Sequence, residues 1–223
     1  METTKPLNQS TNQRINESTK KQTMASNYAT IIQDNLTKLF ACDLHERAGA
    51  LPAQIEGQTL NFKAFGTPCR LSAEELTLDG RKEDGPRGII TSLYALHAAG
   101  EEMVLEPFQS FKEIPNSAPY VGAFANRTEQ ALVPAVMRLK NSLSAIISRL
   151  DGGNAPASVS GDIAFVVRPL PKIALCYVCY LPDEDFPAGV TCLYSRNAHR
   201  FLPTDALADV GEYTSKTILA IMG

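Results

Sequence analysis

Two unbroken apolar runs constrain this chain more than anything else in it. Ile163 to Val167 and Ile173 to Tyr180 carry almost no polar side chain and are bounded by Gly161, Pro169, Pro171 and Pro182. Short continuous runs between turn residues predict strands buried on both faces, joined here by a tight turn from Pro169 to Lys172. A strand hidden on both faces needs cover on each. The rest of the chain has to supply it.

Helical patterns provide part of that cover. Tyr28, Ile31, Ile32, Leu36, Leu39 and Phe40 recur at helical spacing, with Asn35 and Lys38 on the other side and Ser26 or Asn27 as N-cap. A shorter helical piece follows from Asp43 to Ala48 and stops at Gly49. From Gln54 to Leu78 the period falls to two, with Gly66-Thr67-Pro68 between alternating segments, which predicts a strand meander. After a charged turn from Asp79 to Arg87, the positions Ile89, Ile90, Leu93, Leu96 and His97 return to helical spacing, closed by Gly100. Pro107, Pro115 and Pro119 then punctuate a loop whose length marks either function or a segment that packs its own side chains.

Tyr120 to Arg149 reads as helix with breaks near Pro134 and Asn141, ended by Asp151-Gly152-Gly153. Val190 to Tyr194 predicts a third strand, and a last helix runs from Thr204 or Asp205 to Ile221. The fold class is therefore α+β, a helical middle segment flanked by short strands that form a mixed or antiparallel sheet. A single domain is expected over residues 24–223.

Residues 1–23 have a different composition. Only Met1, Leu7 and Ile15 are apolar there, so the segment is expected to be a disordered leader, with Met24 as an alternative start. That leader holds four cations and two acids, so a formal charge of -3 for the whole chain leaves -5 for the rest. An acidic body argues against a nucleic-acid-binding protein. No apolar run reaches the roughly 18 residues that a membrane span requires. Five scattered cysteines without an export signal predict reduced thiols. The expectation is a soluble, cytoplasmic protein.

Few residue groups point to chemistry. Cys176 and Cys179 have the spacing of a chelating pair, but on a strand residues three apart face opposite ways, which predicts two core thiols. Asp183-Glu184-Asp185, followed by Phe186-Pro187, ends the second apolar strand. Two aspartates two apart can share a hard cation such as magnesium, and the alternative is a solvated acidic turn. His97 is expected in the core or hydrogen-bonded, and His45 exposed. His199, between Arg196 and Arg200, can receive an anion or simply occupy a surface loop. No metalloprotease, nucleophile-elbow, P-loop or Rossmann pattern occurs.

Seven segments carry a resemblance. SFKEIP (110–115), the Tyr120, Phe124 and Arg127 helix start, LDGG (150–153), GDIAF (161–165), PLPKIAL (169–175), DEDFPAG (183–189) and FLPTDALA (201–208) occur in this order. Their succession resembles a domain-of-unknown-function family of anaerobic prokaryotes, sometimes fused behind a four-cysteine iron–sulfur module. The resemblance covers roughly Tyr28 to Ile221. The family pattern has a tryptophan where this chain has Tyr180 and a second glutamate where it has Asp185. No cysteine cluster precedes Tyr28. The resemblance implies an accessory role in anaerobic redox or one-carbon metabolism, beside an iron–sulfur or corrinoid protein, and it assigns no catalytic residue.

The combined expectation is an accessory protein that binds a small ligand or cofactor without turnover of its own. Its pocket is expected between the turn at Asp183–Phe186, the loop from Phe108 to Tyr120 and the helix bearing Arg127. Candidate ligand-binding residues are Asp183, Glu184, Asp185, Phe186, Arg127 and His199, with Asp183 and Asp185 as candidate metal ligands. One alternative is a divalent-metal-dependent enzyme built on those carboxylates. A second is an interaction module for a metalloprotein partner.

Overall fold

The computed structural model describes residues 27–223. In chain order, helix α1 (27–40) and helix α2 (Leu44–Ala50) precede strands β1 (Gln54–Glu56), β2 (Thr59–Ala64), β3 (Thr67–Leu71), β4 (Leu76–Leu78) and β5 (Arg81–Lys82). Helix α3 (Pro86–His97), strand β6 (Gln109–Ser110) and helix α4 (Val121–Phe124) lead through a π-helical turn (Ala125–Glu129) to helix α5 (Val136–Arg149). Strands β7 (Gly153–Asn154), β8 (Ile163–Leu170), β9 (Ile173–Tyr180) and β10 (Gly189–Tyr194) follow, and helix α6 (Thr204–Met222) ends the chain. The expectations for residues 1–23, Met24 and Ser26 lie outside the described residues.

The strands form two antiparallel sheets rather than one. β1 to β5 make a meander in sequence order, and the second sheet runs β6-β10-β9-β8-β7. The α+β class with a helical middle segment is what the structure has. β5 occupies what the sequence pattern reads as a charged turn, because Thr77 and Leu78 pair with Lys82 and Arg81. The joint between the sheets is a backbone hydrogen bond of 2.7 Å from Phe65 N–H to the Pro169 carbonyl. One hydrophobic cluster draws on both sheets and on α1, α3, α5 and α6.

β9 lies at the centre of the second sheet, between β8 and β10, and only Tyr180 of its eight residues is exposed. Ile173, Leu175, Tyr177 and Cys179 face the main core. Ala174, Cys176 and Val178 face the other way, into a smaller cluster capped by Met103, Leu105, Phe108, Ala155 and Val159. Cys176 and Cys179 therefore sit on opposite faces of the sheet, as period-two alternation requires. The strand turns at Pro171-Lys172. Lys172 is 3% exposed, and its ammonium donates to the carbonyls of Ala99 at 3.2 Å and Glu101 at 2.8 Å. Burial lowers its pKa below the usual lysine range.

Several local expectations need correction. Asn35 does not face solvent: it is 6% exposed, and its Nδ2 donates to Ser92 Oγ at 3.0 Å. Ile31 takes the outer position instead, at 42% exposed. α5 runs through Asn141 without a break, because that exposed residue keeps its place in the helical ladder. His97 is exposed in the last turn of α3, and His45 and His199 are exposed as well. The loop after Pro107 is not irregular throughout. It contains β6 and the tight turns Phe111–Glu113 and Ala118–Tyr120, the first capped by Ser110 and Glu113.

Phe165 of β8 is fully buried and stacks on Tyr177 with ring centroids 5.5 Å apart. Phe165→Ala is expected to cost about 3–5 kcal/mol in denaturant unfolding. Phe186→Ala, at a side chain 71% exposed, should stay within about 0.5 kcal/mol.

Candidate functional site

A groove of about 230 Å³ lies between the Phe108–Tyr120 loop, the segment from α4 through the π-helical turn and β10, and neither the Asp183–Phe186 turn nor Arg127 lines it. Phe111 and Lys112 come from the loop, Phe124, Ala125 and Glu129 from α4 and the π-helical turn, and Thr191 from β10. Its floor is aromatic. Phe111 and Phe124 stack with centroids 4.4 Å apart, and Tyr194 lies against both at 5.9 and 5.8 Å. Tyr194 is anchored in turn, its hydroxyl donating to the Leu207 carbonyl at 2.6 Å.

Two ionisable groups line the groove, the exposed Lys112 and the half-buried Glu129. β6 pairs only with Leu193 and Tyr194 of β10, so the strand's outer edge loses its partner at Cys192. An unpaired N–H there would be costly. Glu129 Oε1 accepts it at 3.0 Å. The π-helical turn helps to make this possible: its extra residue widens the helix, and such bulges recur at functional positions. Gly211 of α6 permits the close packing on the other side, since a Cβ there would stand 2.5 Å from the Phe124 ring and 2.8 Å from Thr128 Oγ1. Burial raises the Glu129 pKa above the usual glutamate range, and the hydrogen bond from Cys192 offsets only part of that rise.

The residues singled out from sequence are distributed differently. Arg127 is exposed and pairs with Glu212 of α6 at 3.4 Å. Glu212 also receives Lys216 at 2.6 Å, so it sits between two cations. Asp183, Glu184, Asp185 and Phe186 form the exposed turn between β9 and β10. Asp183 Oδ1 accepts the backbone N–H of Asp185 at 2.9 Å and of Phe186 at 2.7 Å, and Asp183 N–H donates to the Phe186 carbonyl at 3.0 Å. That is an Asx turn closed on itself. His199 lies in the turn Ala198–Arg200, whose Arg200 pairs with Glu101 at 2.8 Å. Among the described residues, no group of three or more His, Cys, Asp or Glu side chains is placed to hold a metal ion.

The family model of a domain of unknown function, DUF3786, matches residues 43–217. The chain belongs to this family. No curated protein and no solved structure matches it. The match spans both sheets, α5 and all but the end of α6, so the groove and the candidate residues Arg127, Asp183, Glu184, Asp185, Phe186 and His199 lie within the DUF3786 domain. No helix among the described residues is long and apolar enough to cross a membrane.

The thiols of this DUF3786 domain do not supply a nucleophile at the groove. Cys192 is fully buried, and burial drives its pKa well above the thiol range. Burial likewise pushes Cys176 up to about 11 and Cys179 up to about 12. The groove therefore offers one half-buried carboxyl, the exposed Lys112 ammonium and a pair of stacked rings.

Two outcomes follow from these contacts. The folded chain holds the Glu129 proton more tightly than the unfolded one, so ionising it costs stability as pH rises from the ordinary glutamate pKa through the raised one. Glu129→Gln keeps an oxygen for Cys192 and escapes that cost. Its Tm relative to wild type should climb across that window and stay flat on either side, whereas a constant offset would contradict the assignment. For the acidic turn, Asp183→Asn retains the oxygen acceptor and should leave stability unchanged, while Asp183→Ala should lose about 0.5–1 kcal/mol by chemical denaturation.

Proposed function

We propose that this domain is an accessory binding module without turnover of its own, and that its groove receives a small cationic molecule. The observation that carries the reading is the Glu129 carboxyl, half-buried in the lining of a groove of about 230 Å³ beside the stacked Phe111 and Phe124 rings. An ammonium group can pair with the carboxylate oxygen that Cys192 leaves free, while the body of the ligand lies over Phe111 and Phe124. Stacked rings also favour a cation held above them. The turn Asp183-Glu184-Asp185 lies three residues before β10 begins, and its charges favour the approach of a cation. Arg127 and His199 have no part in this reading.

The motif succession that resembles a family of anaerobic prokaryotes, with members fused to an iron–sulfur module, supports a setting in anaerobic redox or one-carbon metabolism. In that setting the domain serves an iron–sulfur or corrinoid protein as a cofactor- or ligand-handling companion.

Benzylammonium and benzyl alcohol make a matched pair of probes, alike in shape and different in charge. Titrated into the full chain, benzylammonium should shift the amide resonances of Cys192, Thr191 and Ala125, and benzyl alcohol should leave them in place. Glu129→Gln should weaken benzylammonium binding about tenfold or more, the range of a charge-assisted hydrogen bond. Equal shifts from both probes, or unchanged binding by the variant, would sink the proposal.

A further inference from the structure

We infer that the cleft between the β2–β3 turn and the C-terminal ends of α5 and α6 is a second binding site, one for a small organic anion with an apolar body. The cleft encloses about 400 Å³ and is lined by Arg87, Arg149 and Lys216 together with Phe65, Tyr213 and Ile221. No carboxylate lines it, although the body of the protein is acidic. A smaller hollow of about 270 Å³ shares Thr67 and Arg87 with it and is of mixed charge, adding Arg81 and Lys82 but also Asp79 and Glu83.

The three cations are not equivalent. Arg87 is paired with Glu83 at 3.0 Å, and Lys216 with Glu212 at 2.6 Å. Lys216 is also held 4.4 Å from the centre of the Tyr213 ring. Arg149 has neither an ion pair nor a side-chain hydrogen bond among the described residues. It is the group an arriving anion would meet unpaired, and its planar fork matches a carboxylate or phosphate.

Arg149 is also held in place. Gly66, at φ +74°, forms the β2–β3 turn against the end of α5. A Cβ there would stand 2.7 Å from the Arg149 carbonyl oxygen and 3.1 Å from its Cγ. Only glycine allows the turn to close over the arginine stem, which confines the side chain before any ligand arrives. Offsetting the dipole of α5 explains a cation at this position. Arg87 and Lys216, although ion-paired, line the same hollow beside it. Ala220 and Ile221 give an apolar body somewhere to rest.

Phenyl phosphate is the probe, with benzyl alcohol as its uncharged counterpart. With the full chain, phenyl phosphate should bind, weaken several-fold between low and physiological salt, and shift amides in Phe65–Thr67, Arg149–Leu150 and Tyr213–Ile221. Arg149→Ala removes an exposed, unpaired side chain and should leave folding intact while weakening phenyl phosphate at least tenfold. Arg149→Lys, which keeps the charge and loses the fork, should recover part of that loss. Affinity unchanged in Arg149→Ala, shifts confined to other parts of the chain, equal binding of benzyl alcohol, or no binding at millimolar concentration would each overturn the inference.

Discussion

β9 is buried on both faces and on both edges, and the surrounding architecture answers that constraint. Its core-facing side is covered by the helices and by residues of the first sheet. Among the described residues no helix covers its outer side, and two loop segments close it instead, with Met103, Leu105 and Phe108 from one and Ala155 and Val159 from the other. Ser158 Oγ donates to Glu106 at 3.1 Å and ties the two loops together. A layer built from loops is thinner than one built from helices, and it leaves a shallow groove of about 330 Å³ at Phe108, Val159 and Tyr180. Burial of β9 thus accounts for the length of the proline-rich loop.

The same constraint generates the Glu129 site. β10 shields one edge of β9 and must itself be protected, but β6 is two residues long and protects only part of it. The carboxylate of Glu129 replaces the missing strand partner at one N–H. A neutral side chain would do this at lower electrostatic cost, since the carboxyl is held where burial disfavours its charge. Ionisable groups kept in such positions concentrate at functional sites. The groove is therefore read as a site as well as a strand-edge repair.

Much of the scaffold was legible from residue order alone. The unbroken runs Ile163–Val167 and Ile173–Tyr180 announce double burial, and strand alternation already separates Cys176 from Cys179. What escaped depends on partners far away in the chain. Asn35 looks like a solvent residue until Ser92, on another helix, takes its amide. Lys172 looks like an ordinary turn lysine until the carbonyls after α3 close around its ammonium. Division of the strands into two sheets is likewise a matter of contacts between distant segments.

The site divides along the same line. The loop and the helix that frame the groove carry their own turn and helix signals, but the acidic turn expected as its third wall does not line it. Its chemistry was not legible. Asp183, Glu184 and Asp185 stand out as a cluster, yet the Asp183 carboxylate serves its own turn. Glu129 sits in the unremarkable stretch NRTEQ, and only the short pairing of β6 and the π-helical turn give it meaning. A possible clue was the shortness of the apolar strand at Val190–Tyr194 beside a loop too proline-rich to pair along its whole length.

The most direct measurement is the titration of the Glu129 carboxyl carbon by NMR, with and without benzylammonium. The account predicts a midpoint above the ordinary glutamate range in the free protein, displaced downward when the ammonium binds and stabilises the charged form. A midpoint in the ordinary range that does not respond to the ammonium would contradict it.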